Sequence, residues 1–201
     1  MRFFVIGDQR SPREWECQGA TYYSYEQQTQ LPFATAEVVP PNTYTRKMLG
    51  YLLAAVTGCS TIRETDDDNL PYDKFFDVPP TVIRARIAKS INSWVNIYPY
   101  FTNRYTWPRG FPLTHLHDAG RSEAPIFGED DVSGLIVFQA IADGDPDVDA
   151  VYRLTGCDVS DIHFSQNPPL RIPHGSWTPF NSQATTWPIE LLPLMYLPST
   201  C

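Results

Sequence analysis

The chain has 201 residues, a formal net charge of −8 from 23 acidic and 15 basic side chains, and a hydrophobic content of 42%. This apolar content is enough for a buried core and argues against a disordered chain. The acidic balance, with no basic run, argues against a nucleic-acid-binding protein.

The first half of the chain predicts short strands around one clear helix. Apolar residues recur at helical spacing in "PPNTYTRKMLGYLLAAVTG" (40–58), where Asn42 or Thr43 can cap the helix and Gly58 suits its end. A strand, a helix and a second strand in this order indicate a βαβ unit in a parallel sheet. In chain order, we predict a strand at 2–8, a strand near 21–24 followed by a helical turn, a helix at 40–58 and a strand at 59–65.

The second half predicts further strands followed by loops. Prolines dominate the chain from residue 156 onward, which favours loops that surround a site. In chain order, we predict a helix passing into a strand at 81–98, strands at 134–145 and 150–155, and a final helical turn near 187–192.

The cysteines predict a reducing environment. Cys17, Cys59, Cys157 and Cys201 lie far apart and form no C-x-x-C pair, which predicts unpaired thiols. The apolar N-terminal stretch is too short for a signal peptide, and the sequence has no membrane-spanning run. We therefore expect a cytoplasmic protein of one domain (1–201), and the ending "YLPSTC" leaves open that this domain is part of a longer chain.

Three aspartates, Asp66, Asp67 and Asp68, directly follow the predicted strand at 59–65 in "IRETDDDN". In open α/β sheets, ligands bind beyond the carboxyl ends of the strands. On an extended segment Asp66 and Asp68 would face the same way, which gives a D-x-D pattern suited to Mn²⁺ or Mg²⁺. Such a metal can bridge a nucleotide diphosphate and stabilise it as a leaving group. The alternative interpretation is a solvated acidic turn.

Four blocks that span nearly the whole chain resemble, in order, segments of the STELLO-type glycosyltransferase-like domains and, more loosely, the plant reversibly glycosylated polypeptides. They are "MRFFVIGDQRSPREW", "PNTYTRKMLGYLLAAVTGCSTIRETDDDN", "DGDPDVDAVYRLT", and "PHGSWTPFNSQATTW" with "LLPLMYLP". The chain is also similar to the capsid-glycosylating transferase domain of large chlorella viruses, which would place it in the host cytoplasm.

The resemblance implies a GT-A fold, a Rossmann-like α/β architecture. Its mixed, mainly parallel central sheet would be flanked by helices and carry a loop-rich acceptor side. The resemblance assigns residues 1–100 mainly to a nucleotide-binding half and residues 101–201 mainly to an acceptor half.

Residue by residue, the resemblance implies a nucleotide-sugar site. It assigns Asp68 to the metal, Asp66 to the metal and the ribose, and places Asn181 and Gln183 of "PFNSQ" near the sugar or acceptor. Positions matching the nucleotide-sugar-binding residues of the family are Gly7, Asp8, Arg10, Tyr44, Arg46, Lys47, Asp66, Asp67 and Asp68.

Arg46 and Lys47 have a second argument in their favour. Two bases in the first turn of a helix oppose the helix dipole, which predicts that they contact an external anion. The alternative is that they are solvated or pair with Glu37.

The segment "DGDPDVD" (143–149) supplies the candidate catalytic carboxylates. In a glycosyltransferase, one carboxylate can deprotonate the acceptor hydroxyl or stabilise an oxocarbenium-like centre. Asp143, Asp145 and Asp147 all qualify, and the alternative is a polar turn around Pro146.

Two further residue types complete the predicted site. His174 can complete a metal shell opened by Asp68, or it is an exposed loop histidine. Sugars stack their apolar faces on aromatic rings, so Trp177, as well as Trp107, Trp187 and Tyr105, can form an acceptor platform, although most aromatic residues serve a core.

The sequence therefore predicts a metal-dependent glycosyltransferase. It would transfer a hexosyl or deoxyhexosyl group from a UDP-sugar to a glycan or glycoprotein acceptor. Two alternatives remain: a nucleotide-sugar mutase, and a non-catalytic nucleotide-sugar-binding module.

Overall fold

The computed structural model describes residues 1–77, 80–90, 92–119 and 126–199. The chain forms two compact units, of which unit 1 comprises Met1–Arg63 with Thr186–Cys201, and unit 2 comprises Glu64–Thr185. The assignment of 1–100 and 101–201 to nucleotide and acceptor halves stays a prediction.

The secondary structure is a mixture of short strands and short helices, which confirms the predicted α/β class. The strands are β1 (Phe3–Ile6), β2 (Ala20–Tyr23), β3 (Thr61–Thr65), β4 (Val82–Ala88), β5 (Ile126–Ser133), β6 (Phe138–Gln139), β7 (Leu170–Arg171) and β8 (Ala184–Pro188). The α-helices are α1 (Tyr25–Gln28), α2 (Ala34–Val38), α3 (Lys47–Val56), α4 (Leu116–Ala119) and α5 (Ala150–Leu154). Turns of 3₁₀ helix lie at Tyr44–Arg46, Asp73–Phe76, Tyr98–Tyr100, Leu113–His115 and Ile189–Leu194.

The predicted single, mainly parallel central sheet is not confirmed. Within the described ranges, the strands form sheets of order β1-β2, β3-β8-β6 and β5-β4-β7. β1 and β2 are parallel, whereas β4 is antiparallel to β5 and parallel to β7. Because β1 and β3 belong to different sheets, the predicted βαβ unit is not formed.

In unit 1, α3 is where the sequence predicts a helix, although it is shorter. Its buried side chains are Leu49, Tyr51 and Leu53, and it ends at Thr57 before Gly58, which has a φ of 75°. The predicted side-chain cap by Asn42 or Thr43 is absent. A 3₁₀ turn at Tyr44–Arg46 precedes the helix instead, and neither this turn nor the helix has a side-chain cap.

The core of unit 1 is aromatic. Tyr51 of α3 packs edge-on against Trp187 of β8, with ring centroids 5.1 Å apart, and Ile62 of β3 completes the cluster. The backbone N–H of Ile189 donates to the carbonyl of Ser60 at 3.0 Å, beside the β3–β8 pair. The predicted final helical turn is confirmed, displaced to Ile189–Leu194.

Unit 2 corrects three predictions of secondary structure. Residues Val82–Ala88 form a strand, since this segment pairs along its length with β5. The predicted strand at 134–145 is reduced to Phe138–Gln139, because Gly134 and Gly144, with φ of 97° and 78°, turn the chain on either side. The predicted strand at 150–155 is the helix α5, which Asp149 caps by accepting the Val151 N–H at 2.8 Å through Oδ1.

Two other expectations concern the environment of the protein. Cys17, Cys59 and Cys157 carry free thiols, as predicted, while Cys201 lies outside the described residues. Of the helices in the described ranges, none has the length and apolar character that a membrane crossing requires. The cytoplasmic location stays a prediction.

A prediction follows from the close approach of Gly7 and Tyr22. A Cβ on Gly7 would lie 2.9 Å from two ring carbons of Tyr22, closer than van der Waals contact allows. We expect Gly7→Ala to lower the free energy of unfolding by about 1–3 kcal/mol in urea denaturation, because the ring must shift. In a Tyr22→Ala background the same substitution should cost less than half as much; an equal cost in both backgrounds would contradict the steric explanation.

Candidate functional site

In unit 1, the turn after β1 is fixed by hydrogen bonds within the protein. The N–H of Gly7 donates to the Tyr23 carbonyl at 2.9 Å, and the Gly7 carbonyl accepts from Gln28 Nε2 at 2.6 Å. The Asp8 carboxylate accepts the backbone N–H of Asn42 at 2.8 Å and joins this turn to the loop before α3. The two predicted segments 7–10 and 42–47 are therefore neighbours in unit 1.

The guanidinium of Arg46 is buried, with 5% of the residue exposed. Its Nε donates to Gln28 Oε1 at 3.0 Å, Nη1 donates to the Val39 carbonyl at 3.3 Å, and the group lies 4.6 Å from the Tyr25 ring centroid. Asp8 Oδ1 lies 3.9 Å from Arg46 Nε. The position of this base near the helix start therefore has an internal explanation, and nucleotide binding by Arg46 stays a prediction.

The other nucleotide candidates of unit 1 lie nearer the surface. Arg10 and Tyr44 are exposed, and Lys47 is half-buried as the first residue of α3. Their roles stay predictions.

In unit 2, the acidic turn after β3 is linked to the loop before β8. Asp66 is half-buried, whereas Asp67 and Asp68 are exposed. Asp68 Oδ1 accepts from Asn69 Nδ2, and Asn69 Oδ1 accepts from Gln183 Nε2, each at 3.3 Å. The structure thus joins two segments that the sequence analysis had assigned separately to metal and acceptor.

Asn181 extends this link to a third segment. Its Nδ2 donates to Asp147 Oδ2 at 3.0 Å. Its Oδ1 accepts from Gln139 Nε2 at 2.8 Å and from the Gln183 backbone N–H at 3.2 Å. A continuous polar chain therefore runs from Asp68 through Gln183 and Asn181 to Asp147.

The structure separates the three candidate catalytic aspartates by their partners. Asp143 accepts from the Tyr72 hydroxyl at 2.6 Å and from the Phe164 N–H at 2.7 Å. The hydrogen bond from Tyr72 to Asp143 raises the pKa of the Tyr72 hydroxyl. Asp145 pairs with Arg153 at 2.7 Å on the surface. Both carboxylates therefore stabilise loops of unit 2.

Asp147 belongs to the wall of a cleft. Its Oδ1 lies 3.0 Å from Arg109 Nε, and 19% of its side chain is exposed. The Tyr98 hydroxyl donates to its backbone carbonyl at 3.0 Å. This shallow, open cleft is lined by the polar side chains of Arg109, Gln139, Asp147, Asn181 and Gln183 and by apolar residues that include Ile97 and Phe180.

The sequence analysis missed three members of this site, Asn69, Gln139 and Arg109. Gln139 had a detectable signal, because it is a polar residue within the apolar run "GLIVFQAIA". Asn69 directly follows the three aspartates, and its amide was not considered. Arg109 has no distinctive sequence context.

Two of the four predicted aromatic residues, Trp177 and Tyr105, are exposed, and Tyr105 is 53% exposed. Trp107 and Trp187 are 5% and 0% exposed and belong to the cores of unit 2 and unit 1, so they cannot form a sugar platform. Trp177 is 67% exposed, and its carbonyl accepts from the Val95 N–H at 2.8 Å. The stacking roles of Trp177 and Tyr105 stay predictions.

The predicted three-residue metal shell is not assembled. In the part of the chain that the structure describes, no three His, Cys, Asp or Glu side chains group around a position for one metal ion, and His174 lies in an exposed turn. Asp66 and Asp68 still fit Mn²⁺ or Mg²⁺ chemically, because these ions commonly take one or two protein carboxylates and complete their shell with water and substrate phosphates.

The comparisons with known proteins confirm the predicted STELLO-type resemblance. One relative is named "Probable glycosyltransferase STELLO2" and is 31% identical over 201 positions, covering 91% of this chain. A second, "Probable glycosyltransferase STELLO1", is 29% identical over the same share of the chain. The chain is therefore similar to one part of each of these two relatives. Both relatives are from Arabidopsis thaliana.

The chain spans 26% of the length of each of these relatives. No protein-family model matches it. The GT-A fold, the viral likeness and the likeness to reversibly glycosylated polypeptides stay predictions.

Tyr98 beside the cleft gives a prediction about pH. Burial, followed by the charge of Asp147, raises the pKa of Tyr98 above its ordinary value of 10.0. Because the folded protein holds this proton more tightly than the unfolded chain, its stabilising effect is complete below about pH 10 and is lost as the pH rises further. We expect the free energy of unfolding to fall as the pH rises above about 10 in urea denaturation.

Tyr98→Phe should make this fall shallower, although it should cost about 1 kcal/mol at neutral pH through the lost hydrogen bond to Asp147. Tyr44→Phe, at an exposed position, is the matched control and should keep the wild-type dependence. An unchanged slope in Tyr98→Phe would show that other groups cause the alkaline loss.

Proposed function

We propose that this chain is a metal-dependent glycosyltransferase domain that moves a sugar from a UDP-sugar to a glycan or glycoprotein acceptor. The main support is the convergence of three segments, "DDDN", "DGDPDVD" and "PFNSQ", in one polar network of unit 2. The names of the STELLO relatives support the reaction class.

Asp66 and Asp68 would hold Mn²⁺ or Mg²⁺. The metal, when bound, would neutralise the donor's diphosphate and stabilise it as a leaving group. The exposure of Asp68 leaves room for a phosphate and waters, which these ions retain.

Asp147 is the carboxylate that we assign to the chemistry. The acceptor oxygen would bond to C1 of the sugar, the bond from C1 to the phosphate oxygen would break, and UDP would leave with its electrons. The proton of the acceptor hydroxyl would pass to Asp147. An ionised carboxylate offers about four acceptor positions, and the contacts from Arg109 and Asn181 leave capacity for a hydroxyl.

The acceptor would meet both polar and aromatic groups. The Asn181 and Gln183 amides line the cleft and can bond sugar hydroxyls. Phe180 is 52% exposed beside them, and Trp177 lies three residues earlier, so either ring can stack on an apolar sugar face. This combination favours a carbohydrate acceptor.

The metal assignment predicts the behaviour of Asp68→Ala. We expect this variant to weaken Mn²⁺-dependent UDP binding at least about tenfold in isothermal titration calorimetry, because one of two metal carboxylates is lost. Asp73→Ala, which removes an exposed acid from a nearby 3₁₀ turn, should bind as the wild type does. Equal UDP binding by wild type and Asp68→Ala would refute the metal site.

Turnover separates the proposed transferase from its alternatives. The wild-type chain, Mn²⁺, a panel of UDP-sugars and a panel of oligosaccharides should release UDP only when donor and acceptor are both present. Conversion of the donor alone into an isomeric UDP-sugar would indicate a mutase. UDP binding without turnover under all these conditions would indicate a non-catalytic module.

A further inference from the structure

We propose that Gln183 is a positioning residue that sets the metal affinity of the acidic turn by orienting the amide of Asn69. This inference rests on the proposed metal site at Asp66 and Asp68. It adds a role for a side chain that touches neither the metal nor the diphosphate.

The direction of two hydrogen bonds carries the inference. Gln183 Nε2 donates to Asn69 Oδ1 at 3.3 Å, so the oxygen of the Asn69 amide faces Gln183. The opposite end of the same amide, Nδ2, donates to Asp68 Oδ1 at 3.3 Å. One amide orientation therefore serves both contacts, and the donor of Gln183 selects it.

Gln183 is itself held at the cleft wall. Its backbone N–H donates to Asn181 Oδ1 at 3.2 Å, and the Asn181 side chain donates to Asp147 at 3.0 Å. Asn69 and Gln183 are 114 residues apart in sequence, so their contact is a tertiary constraint on the acidic turn. Outer-shell groups of this kind orient metal ligands and commonly alter metal affinity about 10–100-fold when removed.

Because Gln183 donates and Asn69 accepts, two substitutions of Gln183 should have effects of different size. Gln183→Ala removes the donor and leaves the Asn69 amide free to rotate. Gln183→Glu replaces the donor by an acceptor, which draws the Asn69 NH₂ group toward the new carboxylate and turns the amide oxygen toward Asp68. Two oxygens would then face each other, so the second substitution should be the more damaging one.

The experiment measures Mn²⁺ binding in the presence of UDP by the electron paramagnetic resonance signal of free Mn²⁺, with thermal unfolding as a parallel readout. We expect Gln183→Ala to raise the Mn²⁺ dissociation constant about tenfold and Gln183→Glu to raise it further. Asn69→Ala should raise the Mn²⁺ dissociation constant as much as Gln183→Ala does. The double alanine variant should raise it no further, because all three variants lose the same hydrogen-bonded connection from Gln183 to Asp68.

Asn167→Ala is the control, because it removes a comparable amide bond of unit 2, to the Tyr100 carbonyl at 3.1 Å. It should leave the Mn²⁺ dissociation constant unchanged.

Wild-type Mn²⁺ affinity in a folded Gln183→Ala or Asn69→Ala variant overturns the positioning role while leaving the metal site intact. If the wild-type chain binds no Mn²⁺ with UDP, the proposed function fails and this inference fails with it. If Gln183→Ala does not fold, Asn69→Ala in the exposed turn decides.

Discussion

The candidate site depends on the hydrogen bonds of the Asn181 side-chain amide. Its oxygen accepts from Gln139 and from the Gln183 backbone, while its nitrogen donates to Asp147. An aspartate at this position would present a like charge to Asp147, and an aliphatic residue would leave polar partners unsatisfied. A neutral group that both donates and accepts is therefore required for these segments to meet.

The segments that meet at the candidate site could be named from the sequence, but the choice among equivalent residues within them could not. Asp143, Asp145 and Asp147 alternate in one short segment, and their residue type and spacing are the same. Their distinction depends on partners far along the chain, since Tyr72 holds the first and Asn181 holds the third. Arg46 shows the same limit, because its burial depends on tertiary packing.

Elements with strong local signals were predicted more closely than elements that depend on distant pairing. The helix α3 and the strand β1 carry apolar runs with clear ends, and β3 carries β-branched residues between Gly58 and the three aspartates. The segment of β4 was predicted as a helix because its arginines and alanines do not distinguish the two states, and because its partner β5 lies far along the chain, with Val82 paired to Ser133. The alternating pattern at 150–155 predicted a strand, but Asp149 caps the start of this segment and the segment forms the helix α5.

Within the described part of the chain, the polar path to the acidic turn places an uncharged amide, and no cationic side chain, against Asp68, which suits the metal site that we propose. A lysine or arginine in place of Asn69 would bond Asp68 more strongly, but it would neutralise the carboxylate and compete with a metal. An amide supplies orientation with no net charge, and its own oxygen is held by a second amide, Gln183. The hydrogen bond from Asn69 orients the Asp68 carboxylate and leaves its negative charge in place. An oriented, ionised carboxylate is what a divalent cation requires of a ligand.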